Sequence, residues 1–257
     1  MTDILVAKIG GSTLGSRDTT LKDIVELQRR GVRPVVVHGG GALISDWLAR
    51  HNVPTRFERG LRVTDGEALK VVVAVLAGLV NKELVASLGA LGARAIGLSG
   101  ADGGLLRASL LEPKLGFVGE ISGVDGQMLM GLLDQGLVPV IAPIAMEWQG
   151  ERPTGQLLNT NADSAAGAIA RALGARWLVF LTDVPGVRSP AGDTLARLPA
   201  EEARRLMESG VIEGGMIPKV EACLKAAAAG SVSVVVDGRR EGALLAAVEV
   251  AAGTVVG

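Results

Sequence analysis

Residues 6–16 read VAKIGGSTLGS: a lysine inside an apolar run, then two glycines and a series of hydroxyl residues. Val6, Ala7 and Ile9 mark a buried strand, which makes Lys8 a poor surface lysine. A buried ammonium without an anion is costly, so the end of this strand must supply one. Glycine beside it lets backbone N–H groups approach a ligand closely. The pattern recurs. HGGG follows RPVVVH, SGADGG follows ARAIGL, and TDVPGV follows RWLVFL. In open α/β sheets ligands bind beyond the carboxyl ends of the strands, and a following helix aims its positive end at an anion. Any one of these loops is as readily a tight strand-to-helix turn. Four of them with Lys8 point to a multiply charged ligand such as a nucleoside triphosphate. No Gly-Lys pair and no G-x-G-x-x-G occur, so neither the Walker A loop nor the dinucleotide fingerprint is present.

Around these loops, short β-branched runs alternate with helical segments. ILVAKI, RPVVVH, ARAIGLS, LVPVIAP, RWLVFLTD and SVSVVVDG are nearly continuous apolar runs, as in strands covered on both faces. The alternation predicts an α/β fold, a mostly parallel sheet with helices on both sides. RASLLEPKLGFVGEIS and IAMEWQGERPTGQLLN read as hairpins. The internal boundary is expected near Gly174, giving lobes at 1–174 and 175–257.

Composition removes several classes. With a net charge of −1 there is no basic surplus for nucleic acid, and aromatics at 2% offer no stacking platform. The single cysteine, Cys223, excludes an intrachain disulfide or thiolate metal cluster and reads as a small core residue. A reducing cytoplasm fits. The longest apolar run, Val71 to Val80, is half of what crosses a bilayer, so a core helix or subunit interface is expected rather than a membrane span.

LLNTNADSAAG, residues 157–167, is a polar island before a helix. Asn161 or Asp163 can cap that helix, but one cap needs one residue, and Asn159, Asn161 and Asp163 leave a surplus for ligand contacts. Lys219 follows a glycine pair at another helix start. Arg62, in RGLRVTD, suits a carboxylate, although an ion pair with Asp65 or Glu67 is the simpler reading. His38 and His51 have no metal-ligand spacing, and His38 reads as a structural hydrogen-bonder.

In this order AKIGGS, VVHGGG, RGLRVTD, NKELV, GLSGADGGLL, GFVGEI, LVPVIAPI, NTNADSAAGAIARALGA, LTDVPGV and GGMIPKV resemble the N-acetylglutamate kinases of the amino acid kinase superfamily, along essentially the whole chain. The resemblance implies a three-layer αβα sandwich. Its N-terminal lobe binds the acyl amino acid and its C-terminal lobe binds ATP. It implies transfer of the γ-phosphoryl of ATP to the side-chain carboxylate of N-acetyl-L-glutamate, the second step of arginine synthesis. Carried over, Lys8 and Lys219 contact the transferring phosphoryl and Asp163 orients both. Gly10, Gly11, Gly40 and Gly41 form the phosphate cradle. Arg62 grips the α-carboxylate with Asn159 beside it, and Asn161 completes the substrate side. Asp183, Val184, Pro185, Gly186, Val187 and Arg188, with Val211, Ile212 and Glu213, line the nucleotide. Mg²⁺ rides in on ATP without a dedicated protein ligand.

The related kinase acting on carrier-linked α-aminoadipate in lysine synthesis, and a catalytically silent sensor subunit on the same fold, remain as alternatives. Arginine-inhibited members carry an extra helix before the Lys8 strand, for which seven residues leave no room. The expectation is therefore a cytoplasmic homodimer, paired through the Val71–Val80 helix and insensitive to L-arginine.

Overall fold

The computed structural model describes residues 3–10 and 19–257; Gly11, expected in the cradle, lies outside the described residues. The hub is β1 (Ile4–Ile9). All six of its residues are buried, and it pairs in parallel with β2 (Arg33–His38) and β11 (Trp177–Thr182). The sheet has eight strands in the order β12 (Arg197–Leu198), β14 (Thr254–Val256), β13 (Val232–Asp237), β11, β1, β2, β8 (Val138–Ala142) and β5 (Ala95–Ser99). Every neighbouring pair is parallel except β13 with β14.

Side chains alternate across a strand, so β1 builds two cores at once. Ile4 and Val6 join Val35, Val37, Leu178 and Phe180 on one face; Leu5, Ala7 and Ile9 join Val36, Val179 and Leu181 on the other. The first face is covered by α5 (Gly126–Asp134), α6 (Ala162–Leu173), α7 (Ala200–Glu208) and α8 (Met216–Ala227). The second is covered by α1 (Thr20–Arg29), α2 (Gly41–Arg50), α3 (Gly66–Val73), α4 (Asn81–Ala90) and α9 (Ala243–Val250). The expected three-layer sandwich is the observed architecture.

The two hairpin stretches are the antiparallel pairs β6 (Leu106–Leu110) with β7 (Val118–Val124) and β9 (Ile144–Gln149) with β10 (Arg152–Thr160); together they close a small barrel. A separate hairpin, β3 (Phe57–Glu58) and β4 (Leu61–Arg62), turns through Arg59 and Gly60, both at positive φ, as a two-residue hairpin loop requires. All strands on the β11 side of the sheet come from residues after Gly174, and all on the β1 side from before it. Both apolar clusters nevertheless cross that line.

The apolar run Val71 to Val80 lies inside a longer helix. α3 and α4 run on through a π-helical segment, Ala74–Val80, as one helix of 25 residues, Gly66–Ala90, long and apolar enough by composition to reach across a bilayer. The length argument against a membrane span therefore does not hold. What places the helix is its packing. Val72, Val75, Leu76, Val80, Leu84 and Leu88 are buried in the second core, and Asn81 beside them is fully buried among strand carbonyls.

Candidate active site

The alternation of β1 sends Lys8 to the same face as Ile4 and Val6, toward α6 and α8. Lys8 is only 7% exposed, and the anion its burial demands is Asp163, in the first turn of α6. Lys8 Nζ lies 2.8 Å from Asp163 Oδ1. Lys219, in the first turn of α8, donates to Asp163 Oδ2 at 2.9 Å and to the Gly215 carbonyl at 2.9 Å. The two helices reach this point side by side because Gly167 has no side chain: a Cβ there would stand 2.8 Å from that of Ala222. Burial pushes the Asp163 carboxyl up, but the two ammonium groups outweigh it and hold the acid below the usual range. The Lys8 contact is a close ion pair on Oδ1, and the Lys219 contact occupies Oδ2. The centre carries two positive charges against one negative, at the N-terminal ends of two helices. It is built to receive an anion.

Beside it, β2 ends in Gly39–Gly41. The Gly39 N–H donates to the Ile9 carbonyl at 3.0 Å, tying the loop to β1. No described residue accepts from the N–H of Gly40 or Gly41. Gly10 differs: its N–H donates to the Leu181 carbonyl at 3.3 Å and so extends the sheet.

Arg62 is 7% exposed and pairs with neither Asp65 nor Glu67. Asp65 caps α3, accepting from the Ala68 N–H at 2.8 Å, and Glu67 takes Lys70 at 2.7 Å. Arg62 instead donates to the Gly41 carbonyl at 3.0 Å and to Ser45 Oγ at 2.8 Å, and lies over the Phe57 ring at 4.7 Å. It has no carboxylate partner among the described residues, and burial pulls its pKa down. Asn159 donates to Thr64 Oγ1 at 3.0 Å, and Thr64 in turn donates to the Arg62 carbonyl at 2.8 Å. Asn161 is the α6 cap, its Oδ1 accepting from the N–H of Asp163 and of Ser164 at 2.8 and 3.0 Å. Only its Nδ2 is left for a ligand. The three polar residues of the island thus divide: one caps, one bridges the lysines, one is tied to the arginine strand. Ser45 and Thr64, which fix Arg62 and Asn159, went unnoticed in the sequence. Thr64 sits inside GLRVTD, and Ser45 lies one helical turn past Gly41.

Of the expected nucleotide residues, Asp183, Arg188 and Glu213 are exposed, whereas Val187 and Ile212 are core residues at 1% and 2% exposure. The Val187 N–H donates to Thr254 Oγ1 at 2.9 Å, and the side chains of Val187 and Ile212 pack in the first core. A cavity of about 730 Å³ opens at the centre, with Leu61, Val118, Asn161, Asp163, Gly215 and Pro218 in its wall. A second, about 520 Å³, lies at the sheet edge by β12 and β14, away from every residue above except through the sheet itself. Cys223 is fully buried, and burial pushes its thiol up, as a core residue requires.

The model of the amino acid kinase family matches residues 3–237. An acetylglutamate kinase of Dehalococcoides mccartyi (strain ATCC BAA-2266) is 46% identical over 238 residues, covering 92% of this chain and 87% of the relative. One from Thermosynechococcus vestitus is 45% identical over 249 residues, covering 93% and 82%. Among solved structures, smu.665 from Streptococcus mutans UA159 superposes with a TM-score of 0.83 at 31% identity, over 92% of this chain and 96% of that one. With its motifs, its sandwich and the extent of these matches, the chain belongs to the amino acid kinase family.

Proposed function

We propose that the chain works as an acetylglutamate kinase, moving the γ-phosphoryl of ATP to the side-chain carboxylate of N-acetyl-L-glutamate in arginine biosynthesis. The observation that carries this is the buried Lys8–Asp163–Lys219 bridge together with a buried arginine that has no carboxylate partner among the described residues. A glutamate side chain has a pKa of about 4.3, so the nucleophile is ionised at neutral pH and needs no general base. The difficulty is to bring an anion to an anionic phosphate. Phosphoryl transfer is then positioning and charge neutralisation. Arg62, with Asn159, holds the acceptor through its α-carboxylate. Lys8 and the N–H groups of Gly40 and Gly41 meet the transferring phosphoryl from the acceptor side, and Lys219 meets it from the nucleotide side. Asp163 holds the two ammonium groups together, one on each carboxylate oxygen.

Among the described residues no three His, Cys, Asp or Glu side chains converge, and the one central carboxylate is already shared by two ammonium groups. This fits a magnesium ion held by phosphate oxygens and water, which when bound supplies further charge neutralisation. The nucleotide lies on the 175–257 half, against Asp183–Arg188 and Val211–Glu213, with the buried Val187 and Ile212 supporting these stretches from the core. The acceptor lies on the 1–174 half. The exposed side of the long helix carries Ala74 and Gly78, too small and apolar to need solvent, and we read it as the two-fold interface of a homodimer. A biosynthetic kinase with one buried cysteine suits the cytoplasm.

The named relatives are acetylglutamate kinases, which disfavours the carrier-linked aminoadipate reading, and the intact lysine pair disfavours a silent subunit. The test is turnover of Mg-ATP with a panel of acceptors. N-acetyl-L-glutamate should far exceed L-glutamate, N-acetyl-L-aspartate and α-aminoadipate derivatives; equal or better turnover of another acceptor overturns the assignment.

A further inference from the structure

The motif NKELV carries no role in the reaction as described, yet its asparagine is one of the most enclosed polar residues in the molecule. Asn81 is fully buried at the point where the π-helical segment passes into α4. Its amide nitrogen donates to the Val140 carbonyl at 2.9 Å and to the Leu98 carbonyl at 3.3 Å, and stands 3.2 Å from His38 Nε2. Its oxygen accepts from Lys82 Nζ at 3.1 Å. These partners fix which end of the amide is which, since two carbonyls can only accept and an ammonium can only donate. His38 Nε2 therefore accepts, and the ring proton sits on Nδ1, which donates to the Gly39 carbonyl at 3.1 Å. The site is built for this. Gly97 on β5 leaves the room that Asn81 and Lys82 occupy: a Cβ there would stand 2.0 Å from Asn81 Oδ1. On the same helix, Leu76 and Val80 pack directly on Gly40, where a Cβ would stand 2.8 Å from Leu76 Cδ2.

We propose that Asn81, acting through His38, is a positioning residue that sets the Gly39–Gly41 loop for phosphoryl transfer. The loop is held at several points: the Gly39 N–H by Ile9, the Gly39 carbonyl by His38, Gly40 by Leu76 and Val80, and the Gly41 carbonyl by Arg62 and Ser45. With the Gly39 carbonyl turned to the ring, the N–H groups of Gly40 and Gly41 are the ones left for the ligand. Displacing such donors by a fraction of an ångström weakens transition-state contacts more than ground-state binding. Among the described residues the charged groups that bear on the ring are cations, Lys8 from β1 directly and Lys82 from α4 through Asn81. Burial, with Lys8 adding to it, holds the ring neutral, with its pKa lowered to about 4.

The inference rests on the kinase reading for its kinetic arm but not for its spectroscopic one. The chain has two histidines, so nitrogen-15 imidazole spectra separate them. In the wild type, the His38 ring should remain the neutral Nδ1–H form from pH 5 to 9. Asn81→Asp replaces the donor by an acceptor while keeping the shape. It should move the His38 proton to Nε2 or charge the ring, and lower kcat on the order of tenfold with KM for both substrates changed less. His38→Asn, which keeps a donor near the Gly39 carbonyl, should retain more kcat than His38→Leu. An Nε2–H ring in the wild type, or wild-type kcat in folded Asn81→Asp, overturns the proposal. A wild type with the Nδ1–H ring but no kinase activity would instead overturn the function.

Discussion

Lys8 is readable as a site residue because its neighbours are apolar; Asp163 as its partner is implied only by the family resemblance, not by the pattern of the residues. The island holding Asp163 offered three short polar side chains, and which one caps the helix and which meets the lysines is decided by where α6 and α8 pack, through Gly167 against Ala222. Arg62 reads more simply as a surface ion pair until one sees that Asp65 and Glu67 are otherwise engaged. These roles give separable kinetics. Lys8→Met or Lys219→Met should lower kcat roughly a hundredfold, the scale of one lost transition-state donor. Arg62→Ala should raise KM for N-acetyl-L-glutamate and leave that for ATP nearly unchanged. Steady-state rates with each substrate varied in turn check both; equal damage to both KM values would contradict the assignment of Arg62. His38 makes a prediction about stability. Its folded pKa is lowered from 6.5 to about 4, so between those values the unfolded chain binds a proton that the folded chain does not. Stability must therefore fall as pH drops through that window, by about 3 kcal/mol in all, and the loss ends where the folded ring also protonates. Urea unfolding across pH 4–7 should show this slope, and His38→Asn should flatten it.

At the scale of elements, the six long strands were legible because each is a continuous apolar run, and the two barrel hairpins because glycine and proline mark their turns. β12 was not, since two residues at a sheet edge show no period. The π-helical segment was not either. AVLAGLV is apolar all round and carries no periodicity from which a change of helical pitch can be read. That segment does two things at once: its inner side supports Gly40 and its outer side presents Ala74 and Gly78. A large charge placed on the outer side should therefore break the proposed dimer without touching the core. Ala74→Arg is expected to turn a light-scattering mass near twice that of the chain into that of a monomer; an unchanged dimer would place the interface elsewhere.

At the scale of the whole molecule, the sheet carries the design. Parallel strands bring the carboxyl ends of β1, β2 and β11 to one edge, and the alternation of β1 decides that its lysine faces the two helices whose N-termini finish the site. The halves meet at β1 and β11 across a continuous core, so the proposed acceptor and nucleotide sides adjoin. Strand composition makes this architecture legible, whereas the division of labour between the halves depends on which loops converge, and that is set by sheet order. The central claim is that this edge joins a phosphoryl group to a side-chain carboxylate, and the product states it most directly. Incubation with Mg-ATP, N-acetyl-L-glutamate and hydroxylamine should give ADP and an equal amount of the γ-hydroxamate of N-acetylglutamate, formed from the acyl phosphate. ATP consumed without hydroxamate, or hydroxamate at the α-carboxyl, would contradict the account.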